Sequence, residues 1–104
     1  MANPETTLVG RIRRAILAEY PRAFVVKLAG GMFQTSGLPD LLAVVDGRAY
    51  GLEVKCQRPG ESAQHARDRA TPLQLATLEK LRASGAGVGV VLSPEEALEV
   101  IRSS

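Results

Sequence analysis

The stretch of sequence that decides the fold is Asp40–Lys55, DLLAVVDGRAYGLEVK, in which two apolar runs flank a turn. Asp46-Gly47 is a strong short-range signal for a hairpin with a type I′ turn, because both central residues of that turn need a positive φ. The turn sets Val45 opposite Arg48 and so determines how the two strands pair. Both faces of the hairpin are largely apolar, which predicts a sheet covered by helices on each side.

The same register places two carboxylates directly opposite each other, on Asp40 and Glu53, with Lys55 on the same face. Such a like-charged pair destabilises a sheet, and a divalent cation between the oxygens is the simplest compensation. We interpret the three residues as a metal-dependent phosphodiester hydrolysis site, in which Lys55 orients or activates a water or binds the phosphate. Glu-x-Lys alone is common on solvated strands, but in an apolar run an unused charge is costly, which favours the functional interpretation.

The remaining sequence predicts an α/β fold in which helices flank a mixed central sheet. An apolar stripe at helical spacing predicts a first helix over residues 5–19, capped by Asn3 or Thr6. Thr71-Pro72 and Ser93-Pro94-Glu95-Glu96 have the cap residue and proline with which helices begin, and the latter has the pattern of a capping box. The predicted order is αβββαβα, with strands over residues 23–28, 40–45, 49–55 and 88–92.

Residues 56–70 show no helical or strand periodicity, and a basic loop is predicted there. A loop of this length in a small domain usually has a function or is mobile. His65 has no cysteine at zinc-ligand spacing, which disfavours a structural zinc site. A surface residue is expected rather than a catalytic one, with a phosphate contact as the alternative. Cys56 has no evident histidine and acidic companions, so we assign it no role. A second loop opens at Gly30-Gly31, which fits no phosphate-binding fingerprint.

Length and composition favour one globular domain over residues 1–104. Hydrophobic residues make up 45% of the chain and charged residues 23%, as in ordinary globular proteins. No apolar run approaches the roughly 20 residues of a membrane span, and the N-terminus lacks the regions of a signal peptide. A single cysteine cannot form an internal disulfide. We therefore expect a cytoplasmic protein without a membrane partner.

Three segments in this order resemble the PD-(D/E)XK nuclease superfamily, in which Pro-Asp is followed, after a spacer, by Glu-x-Lys. They are Ser36-Gly37-Leu38-Pro39-Asp40, Gly51-Leu52-Glu53-Val54-Lys55 and Gln74 near the start of the next helix. The virus-type replication-repair nuclease (VRR-NUC) branch is the most similar, since its Q-x₃-L helix matches Gln74 to Leu78. The resemblance covers nearly the whole chain and implies a restriction-endonuclease-like αβββαβα core.

The resemblance also implies two further site residues. An acidic residue on the first helix of that family belongs to the metal site, and Glu5 is the matching position here. Glu5 has an ordinary alternative role in the first turn, where an acid interacts favourably with the helix dipole. Gln74 is implied to lie near the site, and its ordinary alternative is an exposed position in the first helical turn. The implied catalytic set is Asp40, Glu53, Lys55, Gln74 and Glu5, with Asp40, Glu53 and Glu5 as metal ligands.

Basic side chains on both sides of the acidic centre suit a DNA backbone, whose phosphates they would contact without specifying sequence. The arginines of the first helix are explained about as well by a solvated helix face. Aromatic residues make up 4% of the chain, and Phe24 and Tyr50 look like core, which disfavours stacking on single strands. The net charge of +2 is compatible with a nucleic-acid partner without requiring one. The expected DNA-binding residues are Lys27, Ser36, Arg11, Arg14, Arg58, Arg67 and Arg69.

These features together predict a Mg²⁺- or Mn²⁺-dependent DNA endonuclease, which would be nucleoid-associated in a bacterial or phage-infected cell. Stand-alone VRR-NUC proteins resemble junction-resolving enzymes that act as homodimers, which implies a structure-selective cut of four-way junctions or other branched DNA. A non-catalytic DNA-binding or assembly module with the same fold is the main alternative. A sequence-specific restriction-type enzyme is disfavoured, because 104 residues leave little surface for base readout.

Overall fold

Four helices and four strands make up the described part of the chain in the computed structural model, which describes residues 3–28 and 37–103. The strands form one sheet in the order β1-β2-β3-β4, antiparallel except for the parallel pair β3 and β4. This is the predicted α/β architecture with a mixed central sheet, to which α2 is an addition. In chain order the elements are α1 (Pro4–Glu19), β1 (Phe24–Lys27), β2 (Leu41–Val45), β3 (Arg48–Val54), α2 (Ala63–Asp68), α3 (Pro72–Ala83), β4 (Gly87–Val91) and α4 (Pro94–Arg102).

The central hairpin of β2 and β3 forms as the sequence predicts. Asp46 and Gly47 have φ values of 50° and 81°, the left-handed conformation that a type I′ turn requires. Val45 pairs with Arg48, and the ladder keeps this register to the last pair, Leu41 and Leu52. The predicted register, on which the position of the acidic pair depends, is therefore confirmed.

Helices α1 and α4 pack together on one face of the sheet and enclose the main core. Burial alternates along β2, where Leu41, Ala43 and Val45 are buried and the residues between them are half-buried. Ile12 and Ile16 of α1 pack against this buried face and have no exposed surface. Apolar residues recur every two positions in β2 and every four in α1, so each element has one apolar face, and these two faces pack against each other.

Helix α3 lies on the opposite face, where it packs against β3 and β4. A Cβ atom at Gly51 would lie 2.8 Å from Leu81 Cδ1, so the missing side chain permits the close approach of α3. Strand β1 lies at the far edge of this face, and Phe24 there is 62% exposed. The prediction that Phe24 belongs to the core is therefore wrong, because α3 packs on strands at the other edge. Tyr50 is buried on the α1 and α4 side, as predicted.

The prediction of a loop over residues 56–70 is wrong in its second half, where α2 forms. Ser62 caps this helix by accepting a hydrogen bond from His65 N–H at 3.0 Å. Ala66 has no exposed surface and Ala70, which follows the helix, is 6% exposed, so small side chains hold the segment against the domain. A helix of six residues is too short to show a helical periodicity in its sequence. The local signal for its start is the N-cap residue Ser62.

The other helix ends largely follow the sequence signals. Asn3, Thr71 and Ser93 cap α1, α3 and α4, each accepting a hydrogen bond from a backbone N–H three residues on. The capping box predicted at Ser93 is not closed, because Glu96 Oε1 accepts a hydrogen bond from Leu92 N–H instead. Within the described ranges, no helix has the length and apolar character needed to cross a bilayer.

Candidate active site

Glu53 lies in the last part of β3, a strand with neighbours on both sides, and Lys55 directly follows that strand. Glu53 pairs with Val90 of the parallel strand β4, and its side chain is 1% exposed. Lys55 follows the last residue of β3, and its N–H still donates to Val91 O at 3.1 Å. The sheet therefore holds the backbone that carries both charged groups.

Short polar contacts bring the three predicted residues together. Lys55 Nζ lies 3.3 Å from Glu53 Oε2, and 12% of the Lys55 side chain is exposed. Asp40 Oδ2 accepts a hydrogen bond from Val54 N–H at 2.7 Å, just beyond the last paired residues of β2 and β3. Glu53 Oε1 is buried and has no hydrogen-bond partner in the described structure. A buried carboxylate oxygen without a partner carries a desolvation penalty that a bound cation would remove.

The environment of Glu53 favours its protonated form. Loss of hydration on burial, followed by repulsion from Asp40, raises the pKa of Glu53 from its ordinary value of 4.5 to about 7. The ammonium group of Lys55 opposes this shift but does not cancel it. A cation bound between Asp40 and Glu53 would favour the ionised form, because it replaces the repulsion between two anions by attraction.

The oxygen donors at this position fit a hard divalent cation. Mg²⁺ is usually bound by one or two carboxylates and keeps waters and substrate phosphates as its other ligands. Asp40 and Glu53 supply such a pair, and one oxygen of Glu53 lacks any other partner. In the described ranges, no cluster of three or more His, Cys, Asp or Glu side chains is placed to hold a metal ion. Asp40 and Glu53 are therefore the first candidate ligands, and water and phosphate would take further positions.

Glu5 lies in the first turn of α1 and faces the same region of the molecule. It lines a cavity of about 470 Å³ together with Asp40. Its charge also contributes to the raised pKa of Glu53, though less than that of Asp40. The structure thus brings Glu5 towards the acidic pair, as the resemblance implies, and its part in metal binding stays a prediction.

Exposed cations lie around this cavity. Lys27, at the end of β1, and Arg58, after β3, both line it. Arg11 of α1 lines a second cavity, which shares Cys56 and Gln57 with the first. Exposed cations thus lie at the cavity that Asp40 and Glu5 line and at the one next to it, a charge pattern compatible with a phosphate backbone near the carboxylates.

The other predicted DNA contacts have different positions. Arg14 is exposed on α1. Ser36 and the Gly30-Gly31 loop lie outside the described residues. Arg67 is paired with Glu96, with 2.7 Å between Nη2 and Oε2. Arg67 thus already has a carboxylate partner, and its contact with DNA stays a prediction.

Gln74 takes part in the start of α3. Its N–H donates to Thr71 Oγ1 at 3.1 Å, while its own Oε1 accepts a hydrogen bond from Thr71 N–H at 2.9 Å. This closed capping box explains why glutamine stands at the third position of the helix. The structural role is established by these contacts, and a catalytic role for Gln74 stays a prediction.

Glu61 is a residue near the site that the sequence analysis missed. Its carboxylate is paired with Arg69 at 3.0 Å, and both side chains are largely covered. The hydrogen bonds from Arg69 and from Arg58 N–H lower the pKa of Glu61 to about 2. The sequence does contain a signal, since the preceding Pro59-Gly60 pair is typical of a turn that returns the chain on itself.

The fold and the site together define a class of protein. An aspartate before one hairpin strand, with Glu-x-Lys at the end of the next strand in a mixed, helix-flanked sheet, is the arrangement that the PD-(D/E)XK resemblance implies. The chain therefore has a restriction-endonuclease-like nuclease fold.

Comparison with solved structures agrees with this classification. The chain is similar to a VRR_NUC domain, with 28% sequence identity over 89% of this chain and 92% of that chain, and a TM-score of 0.59. The predicted resemblance to VRR-NUC domains is thereby confirmed. A Holliday junction resolvase, Hjc, from Archaeoglobus fulgidus matches with 22% identity over 81% of this chain and 67% of that chain, and a TM-score of 0.47. No protein-family model and no curated protein matches the sequence.

Proposed function

We propose that the chain is a Mg²⁺- or Mn²⁺-dependent deoxyribonuclease that hydrolyses phosphodiester bonds within DNA. The observation that carries this proposal is the state of Glu53, whose side chain is 1% exposed and has one oxygen without a partner. A carboxylate is not stably buried beside a second carboxylate unless something compensates it, and Lys55 reaches only one of its oxygens. Similarity to a VRR_NUC domain supports the same conclusion.

Asp40 and Glu53 would hold the ion. When bound, such an ion polarises a phosphate oxygen and lowers the pKa of a coordinated water. The chain itself contributes position and charge: Val54 N–H fixes the Asp40 carboxylate, and Lys55 lies 3.3 Å from Glu53. The Lys55 ammonium keeps a positive charge beside the reacting phosphate and can orient the attacking water. Glu5 and Gln74 are assigned assisting roles on the family resemblance.

DNA is the substrate that the surrounding charges favour. Lys27, Arg58 and Arg11 are exposed around the cavities next to the acidic pair. Contacts from such side chains to phosphates fix the position of DNA without reading its sequence. Selectivity would then come from the shape of the DNA, which agrees with a preference for four-way junctions or other branched DNA implied by the family resemblance.

Two copies of the chain would act together. One acidic pair per chain cuts one strand at a time, so a homodimer supplies the second site that a paired cut in branched DNA requires. Closed two-fold dimers are the commonest oligomers, and a two-fold pair suits a substrate with two equivalent strands. Sedimentation of the purified protein with and without DNA measures the number of copies.

A cleavage panel tests the proposal directly. Wild-type protein and Glu53→Gln are incubated with single-stranded, linear duplex, flap and four-way junction DNA in Mg²⁺, Mn²⁺ or EDTA. We expect the wild type to cut branched DNA in either metal, and neither Glu53→Gln nor the EDTA reaction to do so. Tight DNA binding without any cleavage would overturn the enzyme assignment and favour the non-catalytic DNA-binding module. A constant cut sequence in linear duplex would instead overturn structure selectivity.

A further inference from the structure

Arg69 and Glu61 form an internal ion pair that grips the chain where it leaves β3. The Arg69 guanidinium donates to both oxygens of Glu61, at 3.0 and 3.2 Å, and to the backbone carbonyl of Cys56. Glu61 Oε1 also accepts a hydrogen bond from Arg58 N–H at 2.9 Å. The two side chains are only 23% and 8% exposed. We call this pair with its backbone contacts the Glu61–Arg69 clamp.

The clamp closes a turn of defined geometry. Glu61 N–H donates to Arg58 O at 3.0 Å across Pro59 and Gly60, and Gly60 has a φ of +77°. Proline followed by a glycine with positive φ is the pattern of a type II turn. Gln57 Nε2 adds a hydrogen bond to Glu61 O at 2.7 Å. The segment between β3 and α2 is therefore held by both backbone and side-chain bonds.

The segment held in this way is one wall of the cavity beside the acidic pair. Four consecutive residues, Cys56–Pro59, line that cavity, and Asp40 lines it too. Arg58 contributes its backbone N–H to the clamp and has an exposed side chain at the cavity. Arg58 thus belongs to the clamp through its backbone and to the cavity through its side chain.

We propose that the Glu61–Arg69 clamp positions the Cys56–Pro59 wall, and with it Arg58, against bound DNA, an inference that rests on the proposed nuclease function. Arg69 is then a positioning residue and not the phosphate contact expected from the sequence. Its Nε and Nη2 donate to Glu61 and to the Cys56 carbonyl, and the carboxylate offsets its charge, so Arg69 lines the cavity as a paired cation. A charge-assisted, two-pronged contact of this kind gives a fixed orientation that a single hydrogen bond does not.

The substitution Glu61→Gln distinguishes a positioning role of Arg69 from a role as phosphate contact. If the clamp positions the wall, Glu61→Gln and Arg69→Ala both weaken it, and each raises KM for DNA about tenfold while kcat stays within about threefold. Arg69→Lys restores only part of the loss, because an ammonium group cannot make the forked contact. If Arg69 binds phosphate instead, Glu61→Gln frees a cation and lowers KM, and Arg69→Lys restores wild-type behaviour; either result overturns the clamp.

The salt dependence of DNA binding gives a second readout. Each phosphate contact contributes about 0.9 to the slope of log K against log salt concentration. In a catalytically inactive Glu53→Gln background that also carries Arg58→Ala, the contact that the clamp positions is already absent, so we expect Arg69→Ala to leave the slope unchanged. A further reduction of about 0.9 in this background would identify Arg69 as a phosphate contact and overturn the proposal.

Cys56 gives a readout that does not depend on nuclease activity, since it is the single cysteine of the chain and its carbonyl is held by Arg69. Loss of the clamp should raise the rate at which iodoacetamide alkylates its half-buried thiol. The matched control is the exposed Glu79 and Arg82 pair on α3, whose variants Glu79→Gln and Arg82→Ala should leave the rate unchanged.

The labelling result separates failure of the clamp from failure of the proposed function. Unchanged labelling in both Glu61→Gln and Arg69→Ala overturns the clamp whatever the DNA result. Faster labelling, together with a wild type that cuts no DNA, overturns the nuclease function and leaves the clamp supported. Thermal unfolding tests whether each variant is folded. If Arg69→Ala does not fold, the wild type is compared with Glu61→Gln and Arg69→Lys instead.

Discussion

Val54 N–H donates to Asp40 Oδ2 at 2.7 Å, so a proposed metal ligand also takes the place of the next backbone acceptor between β2 and β3. Val54 directly follows Glu53, and the bond therefore holds two carboxylates near each other in spite of their repulsion. The same side chain serves the sheet and the site. Substitutions can separate these two functions.

Asp40→Asn removes the charge but keeps an acceptor for Val54 N–H, whereas Asp40→Ala removes both. We expect Asp40→Asn to leave the stability of the metal-free protein unchanged or raised, since it relieves repulsion of Glu53, and to slow DNA cleavage at least about 100-fold. Asp40→Ala should in addition lower the free energy of unfolding by about 1–3 kcal/mol. Urea unfolding and junction cleavage measure the two effects. Equal destabilisation by both variants would show that the hydrogen bond does not stabilise the hairpin.

The raised pKa of Glu53 predicts how the stability of the metal-free protein depends on pH. Its pKa of about 7 in the folded state exceeds its ordinary value of 4.5, so the folded state retains a proton that the unfolded state releases. The associated stabilisation is fully present below the ordinary value and is lost as pH rises through the folded value. It amounts to at most about 3 kcal/mol.

Urea unfolding in EDTA between about pH 4 and 8 measures this dependence. We expect stability to decline across the window for the wild type and to stay flat for Glu53→Gln, which does not titrate. Glu61 acts with the opposite sign, because its pKa is lowered from 4.5 to about 2: its stabilisation is lost as pH falls below the ordinary value, which overlaps this window only at its acidic end. The same decline in Glu53→Gln as in the wild type would assign the effect to another group.

Metal binding should replace the repulsion between Asp40 and Glu53 by attraction to the ion and so raise the free energy of unfolding. Because a cation binds the folded and not the unfolded chain, Mg²⁺ at about ten times its Kd should stabilise the wild type by about 1.4 kcal/mol. Glu53→Gln and Asp40→Asn should lose this increment, and Glu79→Gln, an exposed acid on α3, should keep it. Thermal unfolding with and without Mg²⁺ measures the increment. An equal rise in all four proteins would mean that the ion acts elsewhere on the surface.

The core of the site was predictable because it depends on local geometry. One two-residue turn sets the register of the hairpin, and that register alone brings Asp40 to Glu53 and Lys55. No knowledge of the helices is needed for this step. The raised pKa of Glu53, in contrast, depends on how deeply the sheet is covered, which pairing alone does not give.

What the sequence analysis missed depends on contacts between distant parts of the chain. Phe24 has the residue type of a core position, but its burial depends on which strands α3 covers. Arg67 has the residue type of a DNA contact, but α2 brings it to Glu96, 29 positions along the chain. Arg69 meets Glu61 only because a turn and a short helix reverse the chain between them. These pairings give basic side chains carboxylate partners that the local sequence does not reveal.

Exposed cations at the cavity and cations already paired with a carboxylate should contribute differently to the salt dependence of DNA binding. Lys27 and Arg58 are exposed at the cavity, so Lys27→Ala and Arg58→Ala should each lower the slope of log K against log salt concentration by about 0.9. Arg67→Ala should leave the slope unchanged, because Glu96 already offsets that charge in the free protein. Fluorescence anisotropy with labelled junction DNA, in a Glu53→Gln background without cleavage, measures all three slopes. If Arg67→Ala lowered the slope as much as Arg58→Ala, the Arg67 and Glu96 pair would have to open when DNA binds, and α2 would belong to the interface.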